Sequence, residues 1–411
     1  MDDHASALVT AARSGRRMPQ ALRVCYVATS DISLRFLLLR QMQHMQRAGF
    51  DVMAVSSDGP YVHDVRAAGI PVHVVRMHRP IALADDLRAL VQLVCMFRKL
   101  APDIVHTHTP KAGVLGRVAA RVAGVPIVVH TDFGLYFMNT SRFARGLFLL
   151  LECVAARFAQ SLLFEDPTAR DFAVARHMAP ASRALWIGGG IDLSTFRACD
   201  VPRVVRDELR TRAGFGADAF VIGFVGRMVR GKGVLDLLDA MQIAVRANPR
   251  IRLVLIGPED ERARGGIDIA DAIARRELGG IAVQVPVQRD IRPWYSMMDA
   301  FALPTYRDSW PRSPMEACAM GLPLVITDLP GVRIAVRCGE NGMVVPVGDV
   351  KRLAAALTTV AAMSCSERAV AARVSRQIAE SLFDERSVFD RVQQVYAELE
   401  STQALQEHTN A

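Results

Sequence analysis

A chain of 411 residues exceeds what one hydrophobic core usually supports, so two domains are expected. Hydrophobic residues make up 51% of it and mean hydropathy is +0.18, yet no stretch offers about 18 uninterrupted apolar residues, so none reads as a membrane-spanning helix. The net charge of +8 is uneven: residues 1–200 hold 23 Lys and Arg against 16 Asp and Glu, the remainder 27 against 26. A basic first half suits an anionic partner, such as a phospholipid surface or a lipid diphosphate, or else a surface that only aids solubility. Nucleic acid is not expected as a partner, because no nucleic-acid module is visible and the aromatics are not interleaved with the basic groups.

In chain order, residues 1–20 lack an apolar core long enough for a secretory signal and read as a disordered extension, which leaves the protein cytoplasmic. Residues 21–190 alternate strands (LRVCYVATS, FDVMAVSS, PVHVVRM, DIVHTHT, PIVVHT) with helical segments such as Leu34 to Ala48 and Leu83 to Leu100, the pattern of a doubly wound α/β domain. The run GLFLLLECVAARFAQSLLF, from Gly146, is interrupted by Glu152 and Arg157 and reads as a buried or membrane-grazing helix. A glycine-rich connection spans residues 191–218 and includes the charged helix Val204 to Ala213. A second α/β domain occupies 219–380 with strands VIGFVG, IRLVLIG, AVQVP, AFALP, PLVIT and GMVVP. Residues 381–400 read as a closing helix, and the tail 401–411 as disordered. The seven cysteines are scattered without CxxC spacing, so reduced thiols and no zinc site are expected.

Ligands of doubly wound sheets lie beyond the carboxyl ends of the strands, which predicts two domains facing each other across a cleft. The segment FVGRMVRGKGVLDLL places Arg227 and Lys232 on a glycine turn between the strand Phe220 to Val225 and the helix from Val234. Helix-start N–H groups, close backbone approach at Gly226, Gly231 and Gly233, and two fixed cations make an anion site; the alternative is a solvated basic turn. Downstream, TYRDSWPRSPMEACAMG places Asp308 on a loop after the strand Ala300 to Leu303, and Glu316 in the first turn of the helix Met315 to Met320. A carboxylate there can accept hydrogen bonds from paired ribose hydroxyls, or simply complement the helix dipole. In the first domain, Ser30, Asp31 and Ser33 follow the first strand and either meet a ligand or cap the helix. His106, His108 and Lys111 follow another strand; two histidines at alternate strand positions share a face, but no third metal ligand is evident.

GRMVRGKG, DSWPRSPMEACAMGLPLVITD, GENGMVVPVGD, SDISLRFLLLRQM and PDIVHTHTPKAGVLGRVAARVAGVPIVVHT together resemble family 4 of the retaining glycosyltransferases, from about residue 22 to about 398. The resemblance is to the bacterial enzymes that assemble polysaccharide or O-antigen units on a polyprenyl diphosphate. It implies the two-domain GT-B fold and metal-independent transfer of a hexose or N-acetylhexosamine from a nucleoside diphosphate, with uridine as the nucleoside. No cofactor is implied, and no Asp-x-Asp pair occurs in the chain, as a metal-bound donor site of the other common transferase fold would need. By resemblance Arg227 and Lys232 stabilise the leaving diphosphate and Asp308 orients the sugar. Glu316 holds the ribose, and Ser309, Trp310 and Ser30 complete the donor site. His108, Lys111 and His130 stand on the acceptor side, which implies a place on the inner face of a membrane. The closing helix is implied to cross back onto the first domain.

Four positions depart from the family pattern. After the fifth strand, H-T-x-H-G becomes His130, Thr131, Asp132, Phe133, Gly134, so Phe133 replaces a catalytic-site histidine. Paired glutamates become Asp308 and Glu316. Ser309 replaces a glycine, and Gly189 an asparagine. These changes keep open a non-catalytic nucleotide-sugar-binding subunit of an assembly complex. A dinucleotide oxidoreductase is disfavoured, since no G-x-G-x-x-G follows the first strand.

Overall fold

The computed structural model describes residues 21–78, 82–134, 142–259 and 266–410. The disordered extension expected for residues 1–20 lies outside them. The chain forms two compact units, one of residues 1–164, 172–185 and 389–411, the other of 165–171 and 186–388. The residues expected to form a connection, 191–218, thus group with the second unit.

The first unit is built on seven strands: β1 (Arg23–Val27), β2 (Asp51–Ser56), β3 (Val72–Val74), β4 (Ile104–His108), β5 (Ile127–Asp132), β6 (Ser161–Phe164) and β7 (Ala184–Trp186). Their order is β3-β2-β1-β4-β5-β6-β7. β1, β2, β4 and β5 are almost wholly buried on both faces, as the central strands of a parallel sheet covered by helices require. Helices Leu83–Leu100, Pro110–Ala123 and Arg142–Ala156 pack one against the next. The helix after β1 starts at Asp31, ahead of the expected Leu34, and runs through a π-helical turn, Leu34–Leu38, before regular α-helix from Leu39.

The second unit carries β8 (Phe220–Val225), β9 (Ile251–Ile256), β10 (Ala282–Val285), β11 (Ala300–Leu303), β12 (Leu324–Thr327) and β13 (Gly342–Val345), in the order β10-β9-β8-β11-β12-β13. Every ladder in it is parallel. Its core runs from β8 and β11, both almost wholly buried, out to the helices Val234–Ala247 and Val350–Ala361.

Strand order reverses between β1 and β4 in one sheet and between β8 and β11 in the other. At such a switch point the two crossovers leave in opposite directions and open a crevice beyond the carboxyl ends of the strands. Ser30 follows β1 and Lys111 follows β4; Arg227 and Lys232 follow β8 and Asp308 follows β11. Each switch point therefore receives motifs singled out from the sequence.

Two sequence expectations are corrected. The apolar run from Gly146 is not one helix, because the helix ends at Ala156 and β6 begins at Ser161. The residues from 401 continue a helix that spans Glu385–Asn410, so the tail is helical through residue 410. That helix is tied to the first sheet by polar contacts within a buried cluster: the Tyr396 hydroxyl lies 2.5 Å from His106 Nδ1 and 3.3 Å from the Tyr26 hydroxyl.

Candidate active site

At the β8/β11 switch point the chain closes two loops on each other. Gly233 has φ +72°, and a Cβ there would lie 1.9 Å from the Pro304 carbonyl oxygen, so only glycine permits the helix Val234–Ala247 to begin where it does. The Thr305 hydroxyl donates to the Gly231 carbonyl at 3.1 Å and the Tyr306 amide donates to the same oxygen at 3.0 Å. Tyr306 also donates its hydroxyl to Asp236 at 2.6 Å. These bonds register the β11 loop against the β8 turn and bring Lys232 Nζ onto Asp308 Oδ2 as an ion pair between two mostly covered side chains.

Arg227 precedes Lys232 in the same β8 turn; it is exposed, and its guanidinium has no partner among the described residues. Arg307 was not singled out in the sequence, yet it adds a third cation: a Cβ on Gly231 would lie 3.6 Å from its Nε. Its signal was present in the string TYRDS, directly before Asp308. A cationic rim, a glycine turn and the start of a 14-residue helix form one anion-receptive surface.

Glu316 lies on the helix Arg312–Ala319, in its second turn rather than the first. Its Oε2 accepts from the Tyr295 hydroxyl at 2.8 Å. Burial raises the Glu316 carboxyl above its ordinary pKa while that bond pulls it back, and burial beside Glu316 raises the Tyr295 phenol well above its own. Tyr295 thereby fixes one oxygen of the carboxylate. Ser309 contributes backbone: a Cβ on Gly331 would lie 1.4 Å from its carbonyl oxygen, so Gly331 lets the Pro330–Arg333 turn abut the loop.

Trp310 stands apart from this surface. It is 8% exposed, donates its indole N–H to the Gly189 carbonyl at 3.0 Å, and meets Phe383 edge-on with ring centroids 6.2 Å apart. A Cβ on Gly189 would lie 2.5 Å from Trp310 Cδ1, which explains why glycine stands where the family pattern has asparagine. Its one polar side-chain atom is committed to the backbone, so packing is the role its surroundings show.

The β1/β4 switch point is built differently. Thr29 and Thr109 join hydroxyl to hydroxyl at 2.8 Å, and Thr109 adopts φ +65° before the helix Pro110–Ala123. The Ser30 hydroxyl lies 3.3 Å from that of Ser33, and Asp31 accepts from the Tyr61 amide at 2.8 Å. Lys111, expected on the acceptor side, pairs with Asp86 at 2.6 Å, both largely covered. His130 is buried, with Nδ1 2.9 Å from the Thr107 hydroxyl. His108 is fully buried, and neither ring nitrogen has a partner among the described residues. Its imidazole stacks between Tyr26 at 5.4 Å and Phe133 at 5.6 Å, so the phenylalanine that replaces the family's histidine closes a ring stack. Burial lowers the His108 pKa to about 3 and holds His106 and His130 well below 6.5, so all three are neutral near pH 7. Among the described residues no cluster of His, Cys, Asp and Glu could hold a metal ion.

Residues 219–385 match the family model described as "Glycosyl transferases group 1", and residues 23–165 match "Glycosyl transferase 4-like". The chain is a glycosyltransferase. Among curated relatives it is 28% identical over 324 residues to the capsular polysaccharide biosynthesis glycosyltransferase CapM of Staphylococcus aureus, covering 77% of this chain and 82% of that one. It is 28% identical over 334 residues to an Escherichia coli UDP-Gal:alpha-D-GlcNAc-diphosphoundecaprenol alpha-1,3-galactosyltransferase, covering 78% and 83%. Among solved structures, a glycosyltransferase from Rickettsia africae superposes with TM-score 0.80 at 14% identity, over 92% of this chain and 98% of that one. Anabaena HepE in complex with UDP-glucose superposes with TM-score 0.78 at 20% identity, over 92% and 100%. The two parallel-sheet units make this the GT-B fold.

Proposed function

We propose that this glycosyltransferase moves a hexose or N-acetylhexosamine, with retention of configuration and without a metal, from a uridine diphosphate sugar to a saccharide carried on a polyprenyl diphosphate. The product serves polysaccharide or O-antigen assembly, and the enzyme works peripherally on the cytoplasmic face of the membrane. The observation that carries this reading is the Lys232–Asp308 pair, which joins the β8 turn that also bears Arg227 to the β11 loop. A diphosphate at Lys232 brings the attached sugar within reach of Asp308. As the glycosidic bond breaks, its electron pair leaves with the diphosphate, where Arg227 and Lys232 offset the growing charge. Asp308 turns to the sugar hydroxyls and supports the positive character at the anomeric carbon. Glu316, with one oxygen held by Tyr295, offers the other to the ribose. Ser30 and Ser309 supply short polar contacts, and His108, Lys111 and His130 build the acceptor wall from within. A polyprenyl-linked acceptor is supported by the named activity of the E. coli relative, and a uridine donor by that relative and by the HepE complex.

One observation favours a second reading, a binding subunit with impaired catalysis: Phe133 presents a hydrocarbon ring to His108 where the family pattern has imidazole. Sugar release from radiolabelled nucleotide sugars separates the two. Asp308→Asn should lower turnover about 10²–10³-fold while UDP affinity stays within a few-fold, because the lost interaction belongs to the transition state. A parent that turns over but is indifferent to this change would remove Asp308 from catalysis.

A further inference from the structure

The helices Leu83–Leu100, Pro110–Ala123 and Arg142–Ala156 form one layer over the first sheet, and two of them turn apolar side chains outward. On the first, Leu83, Leu87 and Val91 are 83%, 63% and 54% exposed at a spacing of four, which lines them along one stripe. On the third, Leu147, Leu150, Leu151 and Val154 are exposed while Glu152, Ala155 and Ala156 are buried. Thus the leucine-rich run, half-expected to be core, keeps its smaller residues inside. Val122 adds an exposed apolar group from the helix between.

The charges of this layer are one-sided. Every acid on the three helices is spent on a neighbour in the same layer: Asp85 on Arg88, Asp86 on Lys111, and Glu152 on the buried Arg117. Among the described residues Arg98, Lys99, Arg121 and Arg145 pair with no carboxylate, and exposed Arg157 follows the third helix. Outward leucines with uncompensated cations complement a surface that is apolar inside and anionic outside.

We infer that this three-helix face is the surface by which the enzyme lies on an anionic phospholipid bilayer. This rests on the lipid-linked acceptor proposed above, and it deepens that reading by naming the docking elements. Helices of a doubly wound unit run antiparallel to its strands, so the exposed Leu83 and Leu87 lie at the end of the layer where β4 opens onto Thr109 and Lys111. An acceptor anchored in the bilayer would reach the β1/β4 switch point along that edge.

The test is vesicle co-sedimentation of the full chain with phosphatidylcholine alone or mixed with phosphatidylglycerol, with UDP affinity measured in parallel. The wild type should partition at least tenfold better onto the anionic vesicles and release in high salt. Leu87→Glu combined with Leu150→Glu, both on exposed positions, should lower that partitioning tenfold or more with UDP affinity and circular dichroism unchanged. Lys99→Glu and Arg121→Glu should each cost about fivefold or more. Equal partitioning of wild type and variants would overturn the inference. So would light scattering showing that the double change splits a dimer, because the face would then join two copies of this chain. A protein that hydrolyses donor but ignores vesicles loses only the docking surface; one that binds vesicles but no nucleotide loses only the transferase reading.

Discussion

The two switch points share a topology and differ in how they treat charge. Beyond β8 and β11, Lys232 pairs with Asp308 and Arg227 is exposed with no partner among the described residues. Beyond β1 and β4 the polar groups are turned inward. Lys111 is committed to Asp86, His130 to Thr107, and His108 is sealed in a ring stack. The first arrangement keeps one exposed cation, Arg227, beyond its mostly covered pair, whereas the second has used its polar groups on the fold. A titratable residue at a strand end is thus a binding candidate only when folding has left it something to bind with.

The largest effect that sharpens this comparison is expected at Trp310, which the donor motif contains but the core has absorbed. Trp310→Ala should destabilise the second unit by about 3–5 kcal/mol, read from chemical denaturation, because it empties the space beside Phe383 and frees the Gly189 carbonyl. Trp310→Phe should retain most of that packing and leave UDP affinity within twofold. If Trp310→Phe weakened UDP more than tenfold at unchanged stability, the ring would belong to the donor site after all.

The next contrast sets two lysines against each other. Arg227→Ala should weaken UDP about tenfold or more by removing a charged hydrogen bond of roughly 1.5–3 kcal/mol, with little change in the denaturation midpoint, whereas Lys232→Ala should weaken UDP equally and also lower stability by about 1–3 kcal/mol, because mostly covered Asp308 loses its cation. Lys111→Met should affect stability alone. It leaves Asp86 without its cation at a largely covered site, lowering stability by about 1–3 kcal/mol while UDP affinity holds. Calorimetric titration and urea denaturation of the three variants decide the matter. A Lys111 variant that loses UDP binding at full stability would break the distinction between the two strand ends.

The sequence made the candidate site beyond β8 and β11 legible because its chemistry is local: a glycine turn between a strand and a helix, and two acids eight positions apart, lie in short strings. It hid what depends on long-range packing. The partners of Lys111 and His106 lie 25 and 290 residues away, so neither commitment leaves a mark on the neighbouring residues. The packing of Trp310 is hidden for the same reason, since Gly189 is 121 residues distant. The apolar run from Gly146 concealed both its break into helix and strand and the outward aim of its leucines, because apolar periodicity records a face without saying what covers it.

The smallest effect probes the inward wall by pH. His108, His106 and His130 are all held neutral in the folded chain, His108 with a pKa of about 3, whereas an unfolded histidine titrates near 6.5. Below pH 6.5 the unfolded state therefore binds protons that the folded state refuses. Stability falls as the pH drops through that value, and for His108 the loss continues until its folded pKa is reached. Between pH 7 and pH 5 His108 alone accounts for about 2 kcal/mol. His108→Leu, which fills the same stack without a titrating ring, should recover that amount in urea denaturation at pH 5 relative to pH 7. UDP affinity at pH 7 should not change, because the imidazole faces Tyr26 and Phe133. A variant with the parent's full acid sensitivity would mean that His108 is protonated or hydrated in the folded protein, and the β4 strand end would then be open to ligand chemistry like its counterpart beyond β11.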